Sequence, residues 1–248
     1  MTNNHNHELN LESIPGDYQY AALRRKGTVQ SQWHKNRHNL IYFLKFIQKN
    51  DRLLDVGCGS GNVIIEFAKQ VDYALGIDNN TGCIQFLKKK LKDEHIDNAD
   101  AYVADLLQLE LKGEQFTRIV MTEILEHFSK EEGIKVLKQI NSVLSPNGKL
   151  LITTPNYKSP WVILEKLMDI FRLSPKLWGE QHLIKFTPNR LKKMLEDSGF
   201  SVERQGTLNF LSPFLTIFSP MLADKLSYFE FKYIPIGNLL YTVANPRT

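Results

Sequence analysis

The 248-residue sequence predicts an α/β fold: a doubly wound, mostly parallel seven-stranded sheet with helices on both faces. Three observations predict it. From residue 52 onward, short apolar runs alternate with helical stretches, the pattern of a parallel sheet covered on both sides. The first run stops in a glycine loop that opens a helix. An aspartate then stands at the end of each of the first three runs: Asp55, Asp78 and Asp105.

The elements follow in order. Residues 18–49 read as two helices, the second carrying Leu40, Ile41, Phe43, Leu44 and Ile47 at helical spacing. Residues 52–56 are the first strand and 63–71 a helix. Residues 73–77 are the second strand and 81–92 a helix with its lysines outward. Residues 101–104 and 116–122 are the third and fourth strands. A helix over 130–144 closes at Ser145-Pro146-Asn147-Gly148, a turn by composition, and a fifth strand covers 149–154. Thr187-Pro188 opens a further helix, as N-cap and N1 proline, running to 197. Strands at 199–206 and 236–244 complete the sheet. Residues 1–15 are polar and read as frayed.

Composition sets outer limits. Apolar content of 42% with 23% charged residues is that of a globular protein. A formal charge of +4 lacks the concentrated basic stripe that nucleic acid demands, so no nucleic acid partner is expected. The two cysteines, Cys58 and Cys83, give no disulfide framework and fit a reducing, cytoplasmic compartment. No apolar run reaches the ~18 residues of a spanning helix.

The loop reads Asp55-Val56-Gly57-Cys58-Gly59-Ser60-Gly61-Asn62. Its glycines let backbone amides approach a ligand at a helix N-terminus. The spacing is G-x-G-x-G rather than the G-x-G-x-x-G of dinucleotide folds, which excludes a nicotinamide oxidoreductase. A carboxylate at Asp55 suits a ligand bearing cationic groups better than one bearing phosphates. Asp78 is placed to accept from ribose hydroxyls, and Asp105 from an amino group of a base.

These runs resemble class I S-adenosylmethionine-dependent methyltransferases. Residues 53–61 resemble their first motif, Gly76-Ile77-Asp78 their ribose motif, Ala104-Asp105-Leu106 their adenine motif, and residues 144–150 their fifth-strand motif. The resemblance implies bound S-adenosylmethionine. The residues it implies are Arg37, Asp55, Gly57, Cys58, Gly59, Gly61, Asp78, Asn79, Ala104, Asp105, Leu106 and Thr122. It divides the chain into an N-terminal helical cap (1–49), a cofactor-binding half (50–155) and a substrate-side half (156–248).

The run Glu123-Ile124-Leu125-Glu126-His127, with the later segment from His182 to Thr187-Pro188, resembles the ubiquinone-biosynthesis O-methyltransferases. Similar Glu and His sets hold a metal in small-RNA 3′-end methyltransferases. Two readings stand. Glu123, Glu126, His127 and His182 form a divalent-metal set, for example for magnesium. Alternatively His182, with His127 and Glu123, serves acid–base chemistry without metal.

Residues 208–233 hold Phe210, Phe214, Phe218, Tyr228, Phe229, Phe231 and Tyr233, more aromatics than a connection needs. They read as a lid over an apolar acceptor, a helix for peripheral membrane contact, or extra core and a homodimer face. Trp161, Met168 and Trp178 add apolar surface before His182. The acceptor expected is an apolar or aromatic small molecule methylated on oxygen. An RNA methyltransferase and a non-catalytic binding module are the alternatives.

Overall fold

In the first strand, Leu53, Leu54, Asp55 and Val56 are all buried, so both faces of that strand are covered. The computed structural model describes residues 15–109, 111, 113–162 and 182–247. Seven strands form one sheet: β1 (Arg52–Val56), β2 (Tyr73–Asp78), β3 (Ala99–Val103), β4 (Phe116–Thr122), β5 (Leu144–Pro155), β6 (Phe200–Leu208) and β7 (Leu239–Pro246). Their order is β3-β2-β1-β4-β5-β7-β6, and only β7 runs antiparallel to its neighbours. The chain winds outward from β1 to β3 and then returns to β4 on the other side of β1. Ligands bind beyond the strand ends at such a switch point.

Side chains alternate across the sheet. Leu53, Ala74, Val120 and Leu151 face one layer, with α2 (Val29–Phe43), α3 (Asn62–Phe67) and α4 (Thr81–Asp93). Leu54, Leu75, Ile119 and Leu150 face the other, with α5 (Lys130–Val143) and α6 (Pro188–Asp197). A short α1 (Tyr18–Arg24) precedes α2. The starts are capped by side chains: Thr28 on α2, Asn80 on α4, a Ser129/Glu132 capping box on α5, and Thr187 on α6.

Several boundaries differ from the sequence expectation. β3 starts at Ala99, because Ala99 and Asp100 pair with Ala74 and Leu75 of β2. The expected turn at 145–148 lies inside β5: Phe116 pairs with Leu144 and Arg118 already with Lys149, so the tetrapeptide is looped out as a bulge. The last two strands lie one to three residues later than expected. The 208–233 segment forms α7 (Ser212–Leu215) and α8 (Pro220–Tyr233), both packed on α2. The frayed stretch expected before residue 15, Met168 and Trp178 fall outside the described residues, apart from Pro15 itself.

Candidate active site

The glycine loop leaves β1 in a left-handed conformation. Gly57 and Gly61 have φ of 69° and 77°. A Cβ on Gly57 would stand 2.2 Å from Ile124 Cδ1, and one on Gly61 2.3 Å from Leu87 Cδ1. Both positions therefore require glycine. The Gly57 and Cys58 amides donate to the Ile77 carbonyl, at 2.8 and 3.0 Å, which ties the loop to β2. At the end of β2, Asp78 accepts from the Gly59 amide through Oδ2 and from the Asn80 amide through Oδ1, both at 2.8 Å. One carboxylate thus fixes the loop and the start of α4 together.

A cavity of about 360 Å³ opens at this rim. Asp55, Gly57, Cys58 and Asp78 form its floor. His34, Arg37 and His38 of α2 line it as well, together with Glu123, Glu126, His127 and His182. Tyr18 and Gln19 of α1 reach in from above. Asn62 Nδ2 donates to the Gln19 carbonyl at 3.0 Å, so α1 is fastened to the first turn of α3.

Asp55 is the most constrained group. It is 2% exposed, and its Oδ1 has no hydrogen-bond partner among the described residues. Burial, reinforced by Asp78, pushes its carboxyl up to about 7, with Arg37 acting in the opposite direction. On α2, burial and the Arg37 charge hold His34 neutral, down to about 3.

Glu123 has a left-handed backbone, φ 55°, unusual for a residue with a side chain. Its amide donates to the Thr153 carbonyl at 2.8 Å. Its carboxylate takes the Arg37 guanidinium as an ion pair and the Trp33 indole N–H at 3.3 Å. Glu126 follows in a single 3-10 turn, Leu125–His127. It is 1% exposed, neither carboxylate oxygen has a partner among the described residues, and burial beside Glu123 raises it to about 8. At neutral pH it carries its proton. His182 Nδ1 lies 2.8 Å from the Tyr157 hydroxyl, and its ring stands 5.2 Å from that of His127. Burial, then the His127 charge, lowers the His182 pKa.

The methyltransferase-domain family matches residues 26–205. The chain belongs to that family. It is a class I S-adenosylmethionine-dependent methyltransferase. A demethylmenaquinone methyltransferase of Lactobacillus johnsonii is 28% identical over 215 residues, covering 78% of this chain and 84% of that protein. A ubiquinone biosynthesis O-methyltransferase of Coxiella burnetii is 27% identical, covering 63% of this chain and 68% of that one. An uncharacterised Rickettsia prowazekii protein is 31% identical, but the match spans only 60% of its length. Among solved structures, the magnesium protoporphyrin IX methyltransferase of Synechocystis with bound S-adenosylhomocysteine aligns at a TM-score of 0.65. It is 16% identical, with 93% of each chain covered. That likeness concerns the fold.

Most of the residues expected from the sequence meet in this methyltransferase's cavity: Arg37, Asp55, Gly57, Cys58, Asp78, Thr122, Glu123, Glu126, His127 and His182. Gly59 and Gly61 shape the loop without lining the cavity. Asn79 is exposed beside Asp78. Ala104, Asp105 and Leu106 also stand outside it. Asp105 is a turn former here, accepting from the Leu107 amide at 2.9 Å and the Gln108 side chain at 3.1 Å. The expected four-residue metal set is corrected to three. Ligand atoms of Glu126, His127 and His182 lie within 4.8 Å of one another, whereas Glu123 is taken by Arg37 and Trp33. Glu123 and Glu126 do not share a helical face, because the left-handed Glu123 interrupts the turn. Sequence reading missed Tyr157, His38, Tyr18 and Gln19. The His34, Arg37, His38 spacing of three and four on α2 was the available signal for His38; the other three carry none.

Proposed function

We propose that this methyltransferase methylates an oxygen of an apolar or aromatic small molecule, with His182 as the base. The observation that carries the reading is a half-buried imidazole, tethered through Nδ1 to Tyr157, in the same cavity as Asp55 and Asp78. The relatives of quinone biosynthesis support an aromatic acceptor.

The residues fit S-adenosylmethionine. Asp55 Oδ1 is an orphaned buried acceptor suited to an ammonium group. In this reading Arg37, which lines the cavity, would receive a ligand carboxylate and Asp78 the ribose hydroxyls. When bound, S-adenosylmethionine supplies an electrophilic methyl group on a sulfonium. With Nδ1–H donating to the Tyr157 oxygen, His182 keeps a lone pair on Nε2 for the acceptor's proton. The chain's own part would be to hold the acceptor oxygen beside His182 Nε2 and to receive its proton there, so that the oxygen could take up the methyl group. Alignment of the two reactants supplies much of the rate.

The direct test is incubation of the full chain with S-adenosylmethionine and a catechol acceptor, with mass spectrometry of the product. A methyl ether supports the reading, and methylation on carbon or nitrogen overturns its oxygen-specific part. Asp78→Ala removes the acceptor that pins the glycine loop and α4. Cofactor affinity is expected to fall roughly 30-fold, about 2 kcal/mol. Unchanged affinity in calorimetry would remove Asp78 from the site.

A second reading is favoured by the Glu126, His127 and His182 cluster: a divalent cation orienting the acceptor. The cation would have to displace the Glu126 proton, so its affinity would rise with pH up to about 8. We expect turnover to survive exhaustive chelation. A loss that added magnesium reverses would decide for the cation.

A further inference from the structure

We infer that the exposed face of α8, with the turn before it, docks this protein on an anionic lipid surface. The inward face of α8 is set by Ala223, Ser227 and Glu230, all buried. The opposite arc, roughly 120° wide at 3.6 residues per turn, shows Met221, Leu222, Phe229 and Tyr233 to solvent, each at least 50% exposed. Lys225 and Lys232 are exposed on the same arc. The turn between α7 and α8 ends in Phe218, which is 85% exposed. Such a run of projecting apolar side chains is far from the scattered exposure usual on a monomer.

Charge decides the occupant. The two acids of α8 are both used by the fold. Asp224 is paired with Lys35, at 2.5 Å, and accepts from Gln32 at 2.9 Å. Glu230 is 1% exposed and accepts from the Phe210, Leu211 and Ser212 amides, which anchors α7. The outward arc is therefore apolar and cationic, with no acid of its own. A twofold contact with a second copy would oppose lysine to lysine with nothing to answer them. An interfacial helix has this make-up: aromatic and aliphatic side chains at headgroup depth, lysines raised to the phosphates. Two lysines are few for a nucleic acid backbone. No helix among the described residues is long and apolar enough to cross a membrane, so the proposed contact is with the surface of a bilayer rather than through it.

Position gives the contact a use. The segment between α8 and β7 is bonded to the residues just after β5: Asn156 donates from its amide to the Asn238 carbonyl at 2.7 Å and from its side chain to the Gly237 carbonyl at 2.8 Å. Pro155, one residue earlier, lines the catalytic cavity. The docking face and the cavity thus share one rim of the sheet.

Flotation of the full chain with phosphatidylcholine vesicles, with and without about 30 mol % phosphatidylglycerol, tests the inference. Binding is expected to the anionic vesicles and to weaken with salt. Phe218→Ser with Phe229→Ser should reduce it about tenfold or more, and Lys225→Glu with Lys232→Glu should abolish the preference for phosphatidylglycerol. Both pairs are on the surface, so S-adenosylmethionine affinity should be unchanged and reports on folding independently of the vesicles. Absence of vesicle binding overturns the inference. So does a dimer in sedimentation that the phenylalanine variants dissociate, or retention of single-stranded RNA that the lysine variants abolish.

Discussion

Replacement of His182 by alanine is expected to lower kcat by roughly 10²–10⁴-fold, the range for loss of a positioned general base. S-adenosylmethionine affinity should stay within a few-fold of the native value, because in the proposed reading His182 serves the acceptor and Asp55 and Asp78 the cofactor. A pH profile separates this role from simple packing. The base works deprotonated. Burial, then the His127 charge, holds the His182 pKa below the usual imidazole value of 6.5, and the Glu123 charge opposes this only in part. The native rate should therefore rise with pH on the acid side, with its midpoint below 6.5, and level off before neutrality. The alanine variant should lose that limb. Tyr157→Phe removes the oxygen that meets Nδ1 at 2.8 Å and should cost less, by disordering the imidazole. An alanine variant within tenfold of the native kcat, with the limb retained, would take His182 out of the chemistry.

The sheet was readable because β1 and β2 are short apolar runs bounded by glycine or aspartate, where composition and period agree. Asp55 and Asp78 were readable for the same reason: an acid at the C-terminal end of a parallel strand meets the crevice. Asp105 follows the same rule in sequence but stands outside the cavity. Its carboxylate closes a local turn instead, a bond that any Asp can make with the amide two residues on. Glu123 failed differently. The Glu-x-x-Glu spacing implied one helical face, but a left-handed backbone at Glu123 redirects its side chain to Arg37, 86 residues earlier. Nothing in the local pattern encodes that pairing. Tyr157 was hidden because its partner, His182, lies 25 residues away.

Asp55→Asn should have two opposite effects, and the pair tests the assignment of this residue. The first is on binding. An ionised Asp55 offers a charge-assisted acceptor in a water-poor cavity, and the amide offers a neutral oxygen. S-adenosylmethionine affinity should fall by roughly 100-fold, about 3 kcal/mol. The second is on stability without ligand. The folded carboxyl is raised to about 7 from the usual aspartate value of 3.8, so over that window the folded chain keeps a proton that the unfolded chain has released. Stability from this group is whole below the unfolded value, falls as pH rises between the two, and is lost above about 7. Asparagine has no such penalty. The variant should match the native melting temperature near pH 4 and exceed it by roughly 3–8 °C at pH 8, since 1 kcal/mol moves a domain of this size by about 2–4 °C. The same linkage reaches the native protein's binding. Below about pH 7 an arriving ammonium must expel the Asp55 proton, so affinity should weaken toward acid pH and proton release should appear in calorimetry. In the asparagine variant both should vanish. A variant that binds within threefold of the native protein, or melts no higher at pH 8, would mean that Asp55 is a buried structural acid and that the ammonium is received elsewhere. The opposite signs follow from one orphaned oxygen, Oδ1, which costs the empty fold stability and gives the loaded one its contact.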